Sequence, residues 1–260
     1  MKGLVDGFSI FGLNIKFYGI IMALAMLVGV VLACKHAKHR NLTSDNIYTL
    51  ALFILPLALV GARLFYVFGA DHSYSFWEIF KVWEGGMSIY GGVLGGALGV
   101  GLFCIVKKKN FLAVADVACV SLILGQAIGR WGNFFNQEVY GAVIENPAWQ
   151  WFPFGVLLNN GEWHYALFFY ESIINLAIFF GLKYLLKKTT SYGYVAGAYL
   201  ASYGFVRFLL EPLREGQYNL MIGNIKLSSL TSIISLVLGI VILVLTHCLS
   251  KRRKCIDEQK

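Results

Sequence analysis

Charge is scarce in this chain of 260 residues. Only 14% are Asp, Glu, Lys or Arg, against 58% hydrophobic and 15% aromatic, and the mean hydropathy is +0.66. That balance excludes an ordinary water-facing surface and implies an all-α integral membrane protein. Proline occurs four times, and no Pro-rich linker, low-complexity tract or internal repeat breaks the chain. One membrane domain over residues 1–260 is therefore expected, with an outer loop over 131–165 and a basic cytoplasmic tail over 251–260. Cysteine is equally sparse. The five thiols (34, 104, 119, 248, 255) fall at ends read below as cytoplasmic or in the tail, so no outer disulfide framework is implied and small apolar packing explains them. No basic patch is interleaved with aromatics, so the net charge of +8 does not point to nucleic acid. It reads as topology plus affinity for membrane lipids of the anionic inner leaflet. No cofactor and no metal site is expected.

What is abundant is apolar sequence in runs of membrane length, about 20 helical residues for a core of roughly 30 Å. Such runs lie near Phe17 to Cys34, Ile47 to Gly69, Met87 to Val106, Val114 to Gly129, Ala166 to Leu186, Gly193 to Leu210 and Leu230 to Leu249. About seven transmembrane helices are expected, the fourth short and interrupted by Asp116 and Gln126. Lys35, Lys38 and Arg40 follow the first run, Lys107 to Lys109 the third, Lys183, Lys187 and Lys188 the fifth, and Lys251 to Lys254 with Lys260 the seventh. The intervening loops carry Asp71, Glu78, Glu84, Glu138, Glu145 and Glu162 instead. Positive loops stay cytoplasmic, so the N-terminus is expected outside and the C-terminus inside. Val31-Leu32-Ala33-Cys34 imitates a lipoprotein cleavage site, but basic residues and six further runs follow at once, unlike a removable signal.

The polar residues inside these runs carry the chemistry. Gly129-Arg130-Trp131-Gly132-Asn133-Phe134-Phe135-Asn136-Gln137-Glu138 stands where the fourth run ends. An arginine embedded there is costly and usually functional, and glycines on both sides let a ligand or another backbone approach it. Arg63 lies about 9 Å below the outer boundary, six residues at 1.5 Å each, and Arg207 at comparable depth. Three guanidiniums in one leaflet suit an anionic headgroup, above all a phosphate; the bland alternative is intramembrane pairing with Glu138, Glu171 or Glu211. Tyr203, Arg207 and Glu211 are successive i, i+4 neighbours on one helix face, whereas Pro212 disfavours helix at Glu211 and turns Arg214 away. In Gly85-Gly86-Met87-Ser88-Ile89-Tyr90-Gly91-Gly92-Val93-Leu94-Gly95-Gly96, helix packing explains Gly92, Gly96 and Gly99. Ser88 and Tyr90 at a helix start suit an anion. The loop tryptophans 131, 149, 151 and 163 fit an interfacial belt on an amphipathic flap; His164 is a spare candidate for a base, although a lone loop histidine is expected to be merely solvated.

Gly129-Arg130-x-Gly132-Asn133-Phe134-x-Asn136-x-Glu138-x-x-Gly141 resembles the signature of the prolipoprotein diacylglyceryl transferases. Phe17-Tyr18-Gly19, Gly61-Ala62-Arg63, the Gly-Gly-Met-Ser-x-x-Gly-Gly run and Tyr203-x-x-x-Arg207-x-x-x-Glu211-x-x-Arg214 match in the same order. The resemblance implies a bacterial enzyme of the cell membrane, and the charge bias above puts its site at the outer leaflet. It would move the diacylglyceryl group of phosphatidylglycerol to the lipobox cysteine of a preprolipoprotein signal peptide, forming a thioether. The resemblance places the essential role on Arg130 and Arg207, with Tyr18, Asn133, Glu138, Gly141, Tyr203, Glu211 and Arg214 supporting; the reading of the residues adds Tyr90 to the catalytic set and Arg63 and Asn136 to the substrate-binding set. Many relatives have His where this chain has Tyr90. A phenol with an ordinary pKa near 10 is a poor base, so Tyr90 is read as positioning substrate, and the arginine field as lowering the thiol's own pKa. The rival reading is a lipid or small-anion transporter, whose paired broken half-helices are not visible.

Overall fold

A computed structural model describes residues 7–10, 13–69, 74–81, 86–214, 221–222 and 225–257. Asp71, Glu84, Gly85 and Lys260, and the side chains of Arg252 to Cys255, fall outside what is described. Apolar runs become long helices: α1 (Phe17–Ala37), α2 (Ser44–Phe68), α3 (Ile89–Lys107), α4 (Phe111–Asn136), α5 (Leu167–Lys188), α6 (Tyr194–Leu210) and α7 (Leu227–Asp257). Six of these are long and apolar enough to cross a membrane. The expected sixth span, α6, has 17 residues, about 25 Å at 1.5 Å per residue, short of a full hydrocarbon core. Short antiparallel ribbons join β1 (Gly7–Ile10) to β2 (Leu13–Lys16), β3 (Gly155–Leu157) to β4 (Trp163–Tyr165), and β5 (Met221–Ile222) to β6 (Ile225–Lys226).

The fourth run differs most from its expected bounds. Helix α4 continues through Gly129-Arg130-Trp131-Gly132-Asn133 to Asn136, so the polar motif forms the last turns of a helix instead of the loop after one. Internal hydrogen bonds cost nothing extra there, and the polar side chains project from a rigid frame. The connection from α4 to α5 therefore starts at Gln137.

By contact density the chain divides into two compact units, residues Met1–Leu32 with Ala118–Lys260, and residues Ala33–Val117. In the first unit, Val120 and Ile123 of α4, Phe179, Leu182 and Leu186 of α5, and Val195 and Tyr199 of α6 form a buried core. Helices α6 and α7 pack with little space: a Cβ on Gly204 would lie 2.7 Å from the Ser232 carbonyl oxygen and the Leu236 nitrogen. The second unit is built on α2 against α3. Thr43 caps α2, its hydroxyl accepting from Asn46 N at 3.3 Å while Asn46 Oδ1 accepts from Thr43 N at 3.2 Å, the reciprocal pattern that satisfies two orphan donors. Gly61 and Gly91 abut backbone to backbone, Gly95 abuts Leu57, and a Cβ on Gly99 would lie 2.9 Å from the Phe53 carbonyl. The close-packing stripe is thus Gly91, Gly95 and Gly99, four residues apart. Gly92 and Gly96, expected in it, meet Ala62, Ala58 and Ile54 no closer than ordinary contact distance. Buried Arg40 donates from Nε to Asp116 Oδ2 at 2.7 Å within this unit, so one of the cations counted after the first run is internal.

Candidate functional site

The end of α4 sets the site in the first unit. Gln126, Arg130 and Asn133 follow at i+4 and i+3 and share a helix face. Arg130 Nη1 donates to Asn133 Oδ1 at 3.4 Å, and the Tyr203 phenol on α6 lies close enough to interact electrostatically with its guanidinium. Arg130 Nη2 pairs with Glu171 Oε2 on α5. From α6, Arg207 Nη1 meets the other oxygen of the same carboxylate, Glu171 Oε1, at 3.1 Å, while Arg207 Nη2 pairs with Glu211 Oε2 at 3.4 Å. One carboxylate thus bridges two guanidiniums. The Glu171 side chain is 4% exposed, against 16% for Arg130 and 12% for Arg207, so the acid lies on the inner side and the arginines retain an accessible edge.

Glu211 is anchored in turn by Ser228 Oγ, which donates to its Oε1 at 2.5 Å from the first turn of α7. The residue keeps right-handed helical angles, φ −60° and ψ −39°, although a proline follows. The ion pair and the serine outweigh the local bias against helix before proline. A short 3₁₀ turn covers Glu211–Leu213, and Arg214 is extended, off the face that carries Arg207.

Beyond α4 the chain reverses sharply. Gln137 and Val139 have φ of 51° and 57°, a region costly for a β-branched side chain. Glu138 sits between them, its N–H bonded to Asn133 O at 2.9 Å and its Oε1 accepting from Asn136 Nδ2 at 3.3 Å. The Tyr18 phenol of α1 lies in the field of both Glu138 and Arg130. Its ring explains Gly132, where a Cβ would come within 2.9 Å of Tyr18 Cδ2. Asn133, Glu138, Gln137, Tyr140 and the apolar side chains of Phe134, Val156, Leu158 and Phe168 line a small cavity. Tyr18, Arg130, Asn133, Asn136, Glu138, Tyr203, Arg207 and Glu211 therefore fall in one unit with direct contacts among most of them.

Gly141 and Arg214 belong to the frame around this cluster. They pair as an isolated antiparallel bridge. Gly141 N–H donates to Tyr165 O at 3.0 Å, and a Cβ there would lie 2.7 Å from Tyr165 Cβ and 3.1 Å from Leu213 O. Only glycine fits. His164, expected to be solvated, is 2% exposed and holds Gly141 O through Nδ1 at 2.8 Å. Since a carbonyl only accepts, Nδ1 carries the proton. The connection that reads as a flap is thus tied down on both sides.

Arg63 and Tyr90 belong to the second unit. Arg63 is 5% exposed and spends its donors on three backbone carbonyls, Ile79 at 3.0 Å, Gly86 at 3.0 Å and Glu78 at 2.6 Å. That geometry fastens the segment preceding α3. Gly86 has φ 71°, and a Cβ on it would lie 2.9 Å from Arg63 Nη1, so glycine is required beside the guanidinium. Tyr90, in the first turn of α3, is half-buried, its ring 6.2 Å from that of Phe65.

Glu171 is the residue whose role sequence reading missed. Weighed only as a pairing partner, it proves common to both arginines; the available signal was a carboxylate inside an apolar run. Among the described residues no group of three or more His, Cys, Asp or Glu is placed to hold a metal ion.

The family model described as prolipoprotein diacylglyceryl transferase matches residues 7–245. The chain is 36% identical over 253 residues to phosphatidylglycerol–prolipoprotein diacylglyceryl transferase 1 of Clostridium perfringens, covering 95% of this chain and 96% of that one. It is 37% identical over 238 residues to the transferase of that name from Clostridium botulinum strain Loch Maree, covering 90% and 93%. It is 35% identical over 257 residues to that from Oceanobacillus iheyensis, covering 95% and 87%. Relatives named as transferases do not favour the transporter reading. A match along nearly the whole length, through the segments that build the two-arginine cluster, places this chain in the prolipoprotein diacylglyceryl transferase family.

Proposed function

We propose that the chain transfers the diacylglyceryl group of phosphatidylglycerol to the lipobox cysteine thiol of a preprolipoprotein signal peptide, forming a thioether and releasing glycerol phosphate. The observation that carries this reading is the convergence of Arg130 and Arg207 on one buried carboxylate. Two guanidinium forks held at a spacing that two oxygens of one anion can bridge are also spaced for two oxygens of a phosphodiester. Attack on the glyceryl carbon drives charge onto the phosphate oxygen that leaves, and preorganised donors lower the barrier most where charge develops. The nucleophile is the thiolate, and two guanidiniums favour its formation without a dedicated base. Asn133, Asn136, Glu138 and Tyr18, grouped beside Arg130, are assigned to the headgroup glycerol and the incoming peptide. Gly141 and Arg214 support them through the frame.

The lysine and arginine bias favours a cell-membrane protein with its N-terminus outside, its C-terminus inside and this cluster at the outer leaflet. The decisive experiment incubates the purified protein with phosphatidylglycerol and a synthetic lipobox peptide and weighs the peptide. A diacylglyceryl increment on cysteine is expected; an unmodified peptide overturns the proposal.

A further inference from the structure

We infer that Glu171 is a positioning residue that keeps the two guanidiniums from retaining the phosphate product, so that Arg130 and Arg207 assist departure without trapping what departs. The inference rests on the transferase reading above. In that reaction the S–C bond forms at the glyceryl carbon as the C–O bond to phosphate breaks, and the bonding pair stays on the phosphate oxygen. The thiol proton is released to water. Charge balances: a thiolate and a monoanionic diester become a neutral thioether and a phosphate monoester that is largely dianionic at neutral pH, its second pKa being near 6.

This creates a conflict. Groups that stabilise developing negative charge also hold the finished dianion, and more tightly than they held the monoanionic substrate. Glu171 offers the counterweight. Its Oε2 pairs with Arg130 and its Oε1 lies 3.1 Å from Arg207 Nη1, the same two-point contact that a phosphate would make. At 4% exposure the carboxylate stays in a medium of low polarity, where its charge is felt strongly by both partners. It fixes their spacing and subtracts one unit of charge from the pair. Glu211 reaches only Arg207 and shares its own carboxylate with Ser228, so it does not do this for both.

Two deacylated probes separate the effects without requiring turnover. Glycerophosphoglycerol is the monoanionic headgroup diester, and glycerol phosphate is the dianionic monoester. Their dissociation constants are measured by titration calorimetry on purified wild type, Glu171→Gln and Glu171→Asp. Wild type should bind the dianion no more than a few-fold more tightly than the diester. Glu171→Gln should move the ratio toward the dianion by about tenfold or more, the size expected of one removed charge in contact with the site, and Glu171→Asp should keep the wild-type ratio. Steady-state rates should show the counterpart: stronger product inhibition of Glu171→Gln by glycerol phosphate, with a smaller change in KM for phosphatidylglycerol. A wild-type protein that already prefers the dianion tenfold overturns the inference whether or not the variants fold. An unchanged ratio in Glu171→Gln overturns it as well. The peptide adduct assay stands apart: no adduct from wild type defeats the transferase reading, whereas an active wild type with an unshifted ratio defeats only the role of Glu171.

Discussion

Replacing a guanidinium by an ammonium separates charge from geometry at Arg130. The side chain reaches Glu171, Asn133 and Tyr203 from one planar fork, and lysine presents a single point charge that cannot span such partners and a ligand together. Arg130→Lys should lower the transfer rate by at least about a hundredfold, the scale of losing one transition-state donor, while membrane insertion and thermal stability in detergent stay near wild type. A variant retaining most of its turnover would show that charge alone suffices. Tyr90 poses the opposite question. If the phenol only positions substrate, Tyr90→Phe keeps measurable activity with an unchanged pH profile, whereas a phenolate base would leave Phe as inactive as Ala, a loss of roughly 10²- to 10⁴-fold. Rate against pH for wild type, Tyr90→Phe and Tyr90→His decides between them. At this scale the arginines were legible, because a cation in an apolar run stands out. Glu171 was not, because its partners lie on two other helices and only packing brings them together.

At the scale of elements, the connection after α4 depends on a few ties between distant backbone segments. His164 on β4 binds Gly141 O, Gly141 N–H binds Tyr165 O, and Ala142 N–H binds Leu213 O at 3.2 Å. These ties hold the strained reversal at Gln137 and Val139 and so fix where Glu138 points. Asparagine can place its Nδ2 near where the imidazole Nδ1 sits, so His164→Asn should preserve more activity than His164→Leu. The leucine variant leaves a buried carbonyl without its partner, a cost of about 1–3 kcal/mol. Both activity and the melting temperature in detergent should rank wild type, then Asn, then Leu; equal losses would reduce His164 to a space-filling ring. The sequence marked this segment as a long aromatic loop and no more, since its ties join residues more than twenty positions apart and follow no local period. Helix positions were legible from apolar runs, but the end of α4 was misjudged by seven residues, Gly129 against Asn136, because polar side chains at a helix end look like loop composition. Of the glycines expected to pack closely on α3, Gly99 does, whereas Gly92 and Gly96 each stand one residue from the members that do, because adjacent glycine pairs give no hint which one faces α2.

For the whole molecule, orientation follows from which ends carry charge. Fourteen of the 22 cationic residues flank four alternate ends of the apolar runs or the tail, and moving lysine or arginine across a bilayer is what insertion resists. The turn between β3 and β4 should therefore face outward with the motif that ends α4, and the end of α7 should face the cytoplasm. Asn160, an exposed residue of that turn, and Cys248, exposed near the end of α7, report the two sides. In a background where Cys34, Cys104, Cys119 and Cys255 are replaced by serine or alanine, a membrane-impermeant maleimide is applied to intact spheroplasts. Asn160→Cys with Cys248 removed should label at once. Cys248 alone should stay unlabelled until the membrane is opened. The reverse pattern would put the arginine cluster at the inner leaflet, and a thiol arriving from an exported signal peptide would then meet its lipid before crossing instead of after. Labelling of both without opening the membrane would put the end of α7 on the same side as the β3–β4 turn, which means that α6 does not cross and that the count of seven spans is one too many. That outcome has a physical route, because α6, at 17 residues, is the shortest of the described α-helices, about 25 Å at 1.5 Å per residue. If it fails to cross, α7 reverses direction, Cys248 moves to the side of Asn160, and the two labels report it together.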